Sequence, residues 1–271
     1  MPSRRQFLLG CLGVGALATP AGWYGTAYEP NDIEVVRRSV AIRNLPSKLN
    51  GLTAVQISDL HVRSIADVHL RMADMVRQLN PDLVLVTGDL VDQVAAVGDV
   101  VELLKSFQPP RGVWVVPGNW DHTADAVDAM SSALQSTGIT LLINDSGQVD
   151  EGLWIIGVDD PASWLDHVPE AARHVPAAAA RIMLAHSPDI AARIQNVPVD
   201  LIVVGHTHGG QINLPIVSGA WLHHGLSAKY IHGMYQLQGA RMYVNRGIGT
   251  TTLPVRIGAR PEITHFTFHG V

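Results

Sequence analysis

The 271 residues carry 47% hydrophobic and 16% charged side chains, enough apolar material for a sizeable core and too apolar a mix for a disordered chain. A formal net charge of -5 opposes the phosphate backbone of nucleic acid, so no nucleic-acid scaffold binding is expected. A single cysteine, Cys11, excludes a disulfide framework and a thiolate zinc ribbon, so any metal site must be built from the 13 His together with Asp, Glu and Asn.

The amino terminus is a separate object. Arg4 and Arg5 precede Phe7 and Leu8, and an uncharged stretch rich in Leu, Ala and Gly covers 9–21. This is a basic region, a short apolar run and small-residue cleavage candidates at Ala18 and Ala21. The paired arginines have the form of a twin-arginine export signal. Residues 1–24 are therefore read as that signal or as an N-terminal anchor, 7–24 being near the lower length limit for a membrane span. The protein is expected to be exported to the periplasm or cell envelope, or to be membrane-anchored, with membrane association through the N-terminus. Cys11 lies too early in the apolar run for lipid attachment.

The remaining stretch, 33–271, reads as one domain. Residues 33–42 alternate polar and apolar side chains, as a strand covered on one face does. A second strand at 52–57 runs into Ser58-Asp59-Leu60-His61. Leu70, Met72, Met75, Val76 and Leu79 then recur at helical spacing, and Asn80-Pro81 ends that helix. The apolar run Leu83-Val84-Leu85-Val86 is of buried-strand type and delivers Thr87-Gly88-Asp89. Val100, Val101, Leu104 and Phe107 mark one helix face, and strand 113–116 ends in Pro117-Gly118-Asn119-Trp120-Asp121-His122. A helix over 125–134 leads to strands at 140–143 and 153–158, and the Ala-rich 176–180 is a loop or short helix. Strand 181–185 ends at His186, and Leu201-Ile202-Val203-Val204 ends at Gly205-His206-Thr207-His208-Gly209-Gly210-Gln211. The last strands are placed at 241–244 and 263–268. The repeated strand, turn and helix predict parallel strands covered on both faces. The strands at the two chain ends predict a second sheet packed on the first.

Five apolar strands thus end in polar groups: Asp59 with His61, Asp89, Asn119 with Asp121 and His122, His186, and His206 with His208. Each group has an ordinary explanation. Asp at a strand end caps the next helix, Gly-Asp makes a turn, and a lone His is commonly a satisfied core or surface residue. Five together resist that explanation, because buried carboxylates and imidazoles are costly unless paired or bound to metal.

The set Asp59-Leu60-His61, Gly88-Asp89, Gly118-Asn119-Trp120-Asp121, Ala185-His186 and Gly205-His206-Thr207-His208, in this order, resembles the calcineurin-like metallophosphoesterases. Lys229-Tyr230-Ile231-His232-Gly233, Asn245-Arg246-Gly247-Ile248-Gly249 and Leu253-Pro254-Val255-Arg256 are similar to an exported or membrane-associated bacterial branch. The resemblance implies an α/β fold, a four-layer α-β-β-α sandwich of two mixed sheets flanked by helices, with a dinuclear metal site at the strand C-terminal ends. It implies that Asp59, His61 and His208 hold one divalent ion, that Asn119, His186 and His206 hold another, and that Asp89 bridges them. Oxygen and nitrogen ligands without thiolate suit Mn, Fe or Zn. Two such ions polarise phosphoryl oxygens and make hydroxide available at neutral pH. The implied activity is hydrolysis of phosphomonoesters or phosphodiesters by attack of that hydroxide.

One departure stands out. The family's His after the motif Asn contacts substrate and assists the leaving group, and here that position is Trp120, whose indole supplies no proton near neutral pH. His122 either reaches back as the acid or simply packs against its neighbours. Trp120 either costs rate or offers a stacking face to a base or sugar of the substrate. Arg246 and Arg256 either hold a substrate phosphate or form ordinary salt bridges, and Asp92 is expected to support the metal loop from behind. His223, His224 and His232 either shape the substrate mouth or are solvated loop residues. The expected partner is a phosphorylated small molecule, lipid or cell-envelope substrate. A UDP-diacylglucosamine-type pyrophosphate is an alternative substrate that an export signal argues against, and a metal-stabilised scaffold with weak turnover is the alternative from another class.

Overall fold

The computed structural model describes residues 20–194, 197–213 and 227–271. His223 and His224 lie outside the described residues. The first sheet contains β1 (Glu34–Ile42), β2 (Thr53–Ile57), β3 (Leu83–Thr87), β4 (Val113–Val116), β5 (Ile139–Leu141) and β12 (Glu262–Gly270), in the order β1-β12-β2-β3-β4-β5. The second contains β6 (Asp145–Asp150), β7 (Leu153–Gly157), β8 (Ala180–Leu184), β9 (Leu201–Val204), β10 (Gly233–Gln236) and β11 (Arg241–Val244), in the order β10-β11-β9-β8-β7-β6. Both sheets are mixed. Strands β2 to β5 run parallel to one another, as do β7, β8, β9 and β11. The antiparallel pairs are β12 with β2, β6 with β7, and β10 with β11.

The four-layer sandwich expected from the sequence is the observed fold. Its central layer is a core of Val40, Ile42, Leu85, Val116, Ile155, Leu184, Val203 and Phe266 contributed by both sheets. The outer face of the first sheet packs on α1 (Asp67–Leu79), α2 (Val97–Lys105) and α4 (Val127–Leu134) through Met72, Val76, Val100, Leu104 and Met130. The outer face of the second packs on the short α5 (Val168–Ala172) and neighbouring turns through Val168, Ala171 and Ile190. Each such fully buried aliphatic side chain contributes about 1.5–3 kcal/mol. Trp114 reaches across the sandwich, and a Cβ on Gly147 of β6 would lie 2.4 Å from its ring, so only glycine fits opposite it.

The placement of the end strands differs from the sequence expectation. β1 and β12 do not build the second sheet; they pair in parallel with each other at the edge of the first, with β12 also antiparallel to β2. The second sheet comes from the middle of the chain. Strands β6 and β10 have no clear apolar run, because each lies at a sheet edge with half-buried or exposed side chains. The helix expected over 125–134 is α4, and ahead of it stands a short helix the sequence did not suggest, α3 (Asn119–Thr123), the two separated where Asp125 takes a left-handed backbone at φ 53°. Asn80 terminates α1 in a left-handed conformation at φ 44°, immediately before Pro81.

Candidate metal centre

Parallel strands β2, β3 and β4 of one sheet and β8 and β9 of the other all end on one side, so the five polar strand ends meet across the sandwich rather than along a single sheet edge. A polar floor joins the sheets beneath them. Gln56 Nε2 donates to Val204 O at 2.9 Å and to Thr87 Oγ1 at 3.0 Å, and Thr87 Oγ1 donates to Ser58 Oγ at 2.7 Å. The loops are then stitched together by backbone bonds, Asp59 N to Gly88 O at 3.0 Å, His61 N to Asp89 O at 3.0 Å, and Gly249 N to Asp59 O at 2.7 Å.

Asp59, His61 and His208 offer ligand atoms that all lie within 4.8 Å of one another, and so do Asp89, His186 and His206. In the first group His61 Nε2 faces His208 Nε2 at 3.1 Å, and His208 Nε2 lies 3.4 Å from Asp59 Oδ1. In the second, His186 Nε2 and His206 Nδ1 are 3.1 Å apart, and Asn119 Oδ1 lies 3.1 Å and 3.0 Å from them. Asp89 Oδ2 stands between the groups, 3.2 Å from His186 Nε2 and 3.6 Å from His61 Nε2. All seven residues assigned as metal ligands from the sequence are thus gathered at one place.

The backbone around these residues is held at a cost. Asp59, His61, Asp89, His206 and His208 all adopt positive φ, between 49° and 71°. Each such non-glycine conformation costs on the order of 1–3 kcal/mol and clusters at functional sites. Gly205 and Gly118 allow the loops to close. A Cβ on Gly205 would fall 2.2 Å from Asp59 Oδ2, and one on Gly118 would fall 2.3 Å from Asp89 Oδ1.

Imidazole nitrogens aimed at one another and at carboxylates are what a divalent-cation site requires, and the donor set fits such ions. The surrounding contacts orient the ligands. His61 Nδ1 bonds Asp92 Oδ1 at 2.7 Å, and Arg63 Nε holds Asp92 Oδ2 at 2.8 Å. His186 Nδ1 donates to Thr87 O at 2.8 Å, presenting Nε2 to the site. Asp121, buried, accepts from the backbone N–H groups of Leu90, Val91 and Gly118 at 2.9, 3.0 and 2.9 Å, which ties the Gly-Asp loop to the Gly-Asn loop. Burial and the nearby Asp89 charge push its carboxyl up to about 7, against those donors. Burial also works against ionised Asp89, but His186, His61 and His206 outweigh it and hold that carboxyl down to about 2. Burial disfavours the imidazolium of His186, yet Asp89, Asp59 and Asp160 raise it well above the ordinary imidazole range. His61 is raised as well, Asp92 and Asp89 overcoming its burial.

These signs set a pH dependence. In the metal-free protein a raised imidazole contributes stability that is fully present below an unfolded pKa of about 6.5 and is lost as pH rises through the folded value. Metal binding needs the imidazoles neutral, so its stabilisation grows over the same window. Calorimetry should therefore show the chelator-treated protein losing Tm from pH 6 to pH 9 (values about those limits) while the gap to the metal-loaded protein widens. A chelated protein that gains Tm over that window would contradict the paired imidazoliums.

The remaining sequence candidates fall elsewhere. Trp120 sits at the site, its backbone N–H donating to Asp89 Oδ1 at 2.8 Å and its ring edge-on to His61 with centroids 5.6 Å apart. His122 turns to Asp159, with Nε2 2.6 Å from Oδ1. Arg246 is committed to Glu262 at 2.6 Å and Glu34 at 2.7 Å. Arg256 is fully buried and acts as a strut, donating to Ala259 O at 2.8 Å, Gly249 O at 3.0 Å and Arg246 O at 3.0 Å beneath the His208 loop. His232 is not part of either ligand group, its neighbour Ile231 accepting from Thr207 Oγ1 at 2.6 Å, and burial lowers its pKa. Sequence reasoning missed Ser58 and Thr87 in the floor and Asp159 and Asp160 after β7; no motif spacing flags them, since their partners come from other strands.

A family model for calcineurin-like phosphoesterases matches residues 52–210. The chain is 33% identical to the uncharacterized metallophosphoesterase YkuE of Bacillus subtilis, over 98% of this chain and 97% of that protein. It is 28% identical to phosphodiesterase YaeI of Escherichia coli, over 97% and 98% of the two chains. It is 31% identical to a transmembrane protein with metallophosphoesterase domain of Danio rerio, over 97% of this chain and 62% of that one. Among solved structures, TT1561 of Thermus thermophilus shares the fold with a TM-score of 0.53 at 11% identity, over 73% of this chain and 91% of that chain.

Proposed function

The chain belongs to the calcineurin-like phosphoesterase family and is a metal-dependent phosphoester hydrolase, and from that premise we propose that it is a two-metal phosphodiesterase acting at or outside the cytoplasmic membrane. The observation that carries the dinuclear reading is Asp89, one of whose carboxylate oxygens faces both ligand groups, at 3.2 Å from His186 and 3.6 Å from His61. Asp59, His61 and His208 would hold one divalent ion; Asn119, His186 and His206 would hold the other. Bound there, such ions supply Lewis acidity toward phosphoryl oxygens and hydroxide at neutral pH. Manganese, iron and zinc all suit this thiolate-free set.

The chain's own groups do the rest. Asp92 and Thr87 O fix the faces of His61 and His186, so no ring rotation is needed when the site fills. The backbone N–H of Trp120 holds Asp89 Oδ1, which leaves Oδ2 facing both ligand groups. The indole ring beside His61 lines the place where a leaving group departs and gives it a face to stack on. A leaving group that needs no protonation, such as a stabilised phosphate or nucleotide, suits a site with Trp at this position. The phosphodiesterase name of YaeI, aligned over nearly the whole of both chains, supports the diester reading. The uncharged stretch behind paired Arg4 and Arg5 supports the location.

The test is hydrolysis of bis-p-nitrophenyl phosphate by protein loaded with each metal in turn, with metal content measured alongside. Two equivalents of bound metal without turnover of any aryl phosphoester would favour a scaffold instead. Trp120→His separates the two views of that ring. It should speed esters with poor alkoxide leaving groups by roughly 10²-fold while leaving p-nitrophenyl esters nearly unchanged, and it should weaken KM for substrates with an aromatic base. A uniform gain on every substrate without change of preference would sink the stacking role.

A further inference from the structure

The segment just ahead of β1 presents a surface that the hydrolytic site does not use. Residues Pro20–Trp23 form an α-helical turn, Tyr24–Tyr28 continue as π-helix and Glu29–Asn31 as 3-10 helix. One face of this segment is bound to the domain. Arg256 N donates to Gly25 O at 2.8 Å, Ala259 N donates to Glu29 Oε1 at 2.6 Å, and a Cβ on Gly25 would lie 2.8 Å from Ile257. The other face carries Trp23, Tyr24 and Tyr28, which are 60%, 41% and 48% exposed. The wide π-helical turn brings positions five apart together. Trp23 and Tyr28 have ring centroids 6.2 Å apart, and Tyr24 stacks on Tyr28 at 5.4 Å. Leu253, on the strap that holds Gly25, is 54% exposed.

Three gathered amphipathic rings facing away from the protein need a medium that is apolar on one side and wet on the other. Tyr and Trp favour that boundary at the bilayer interface. The sequence points to the same occupant. From Gln6 to Tyr28 there is no charged residue, and this run follows Arg4 and Arg5. The aromatic cluster lies at its C-terminal end, where an interfacial belt belongs.

We propose that Trp23, Tyr24 and Tyr28 dock the domain on the lipid bilayer interface, with the segment 20–31 as a rigid foot. The foot is joined to the metal centre through one residue. Arg256, whose N–H binds Gly25 O, also donates through Nη2 to Arg246 O at 3.0 Å and approaches His208 Nδ1 at 3.4 Å. A groove of about 360 Å³ on the same strap is lined by Leu60, His61, Arg63, Asp92, Thr252 and Leu253. Docking thus sets the orientation of that groove to the bilayer, and, resting on the phosphoesterase reading for its purpose, it selects phosphoesters held at the membrane surface.

The test uses the full-length, metal-loaded protein with vesicles of phosphatidylcholine and phosphatidylglycerol. Emission of Trp23 is isolated as the difference between the parent and Trp23→Phe. Lipids brominated high on the acyl chain should quench that emission about twofold or more, lipids brominated near the chain end should quench it little, and vesicles should shield it from aqueous iodide. Trp23 that stays equally open to iodide with and without vesicles would overturn docking. So would Trp23 already shielded before vesicles are added, which would mean that the preceding residues of the chain cover it. Turnover of soluble bis-p-nitrophenyl phosphate, measured in parallel, should match between parent and Trp23→Phe. A lack of turnover with quenching intact would count against the enzymatic reading and not against docking.

Discussion

Asp89→Asn is expected to lose metal and turnover together. The carboxylate is buried, carries its charge against burial with a pKa held down to about 2, and sets one oxygen toward both ligand groups. Its other oxygen is already taken by the Trp120 N–H at 2.8 Å. Asparagine keeps that acceptor but turns an NH₂ toward His186 and His61, replacing the one negative charge shared by the two groups with a donor. Turnover of bis-p-nitrophenyl phosphate should fall on the order of 10²–10³-fold, as when one preorganised electrostatic group is removed. Elemental analysis should show both sites depleted, with circular dichroism unchanged. Full activity with full metal content would place the bridging role elsewhere.

Asp121→Ala should produce the largest loss of stability at the site without touching a ligand. Three buried backbone N–H groups, from Leu90, Val91 and Gly118, converge on this carboxylate. Each buried donor left unpaired costs about 1–3 kcal/mol, so the loss should reach about 3 kcal/mol or more. That is a large part of the about 5–15 kcal/mol that stabilises an ordinary domain. Urea unfolding of the metal-loaded protein measures it. Asp121→Asn, which keeps acceptor capacity, should recover part of the loss. Equal stability of Asp121→Ala and parent would mean that water replaces the carboxylate without penalty.

Much of the site was legible in the sequence because each ligand follows an apolar strand, and an apolar run has a readable end. The run 201–204 is fully buried as β9, and His206 and His208 stand two and four residues beyond it. What surrounds the ligands was less legible. Arg246 reads from the sequence as a candidate phosphate ligand, and its two carboxylate partners lie 212 residues away at Glu34 and 16 away at Glu262. His122, two positions after Trp120, finds Asp159, which is 37 residues on. Long-range pairings of this kind leave no periodic trace along the chain.

The same limit governed the fold. Buried parallel strands announce themselves by continuous Val, Leu and Ile, so β2, β3, β4, β8 and β9 could be placed to within a residue or so. Edge strands β6 and β10 could not, because half-exposed side chains follow no strict alternation. The sequence by itself determined the candidate ligand residues, their order along the chain and the family, since those depend on residue types at short spacings. Only the tertiary structure decided that β1 and β12 close the first sheet, that the five strand ends meet from two sheets, and that one oxygen of Asp89 looks toward both ligand groups. Those facts depend on which strands pair and pack across the core, a choice made by the summed burial of many residues and not by any local run.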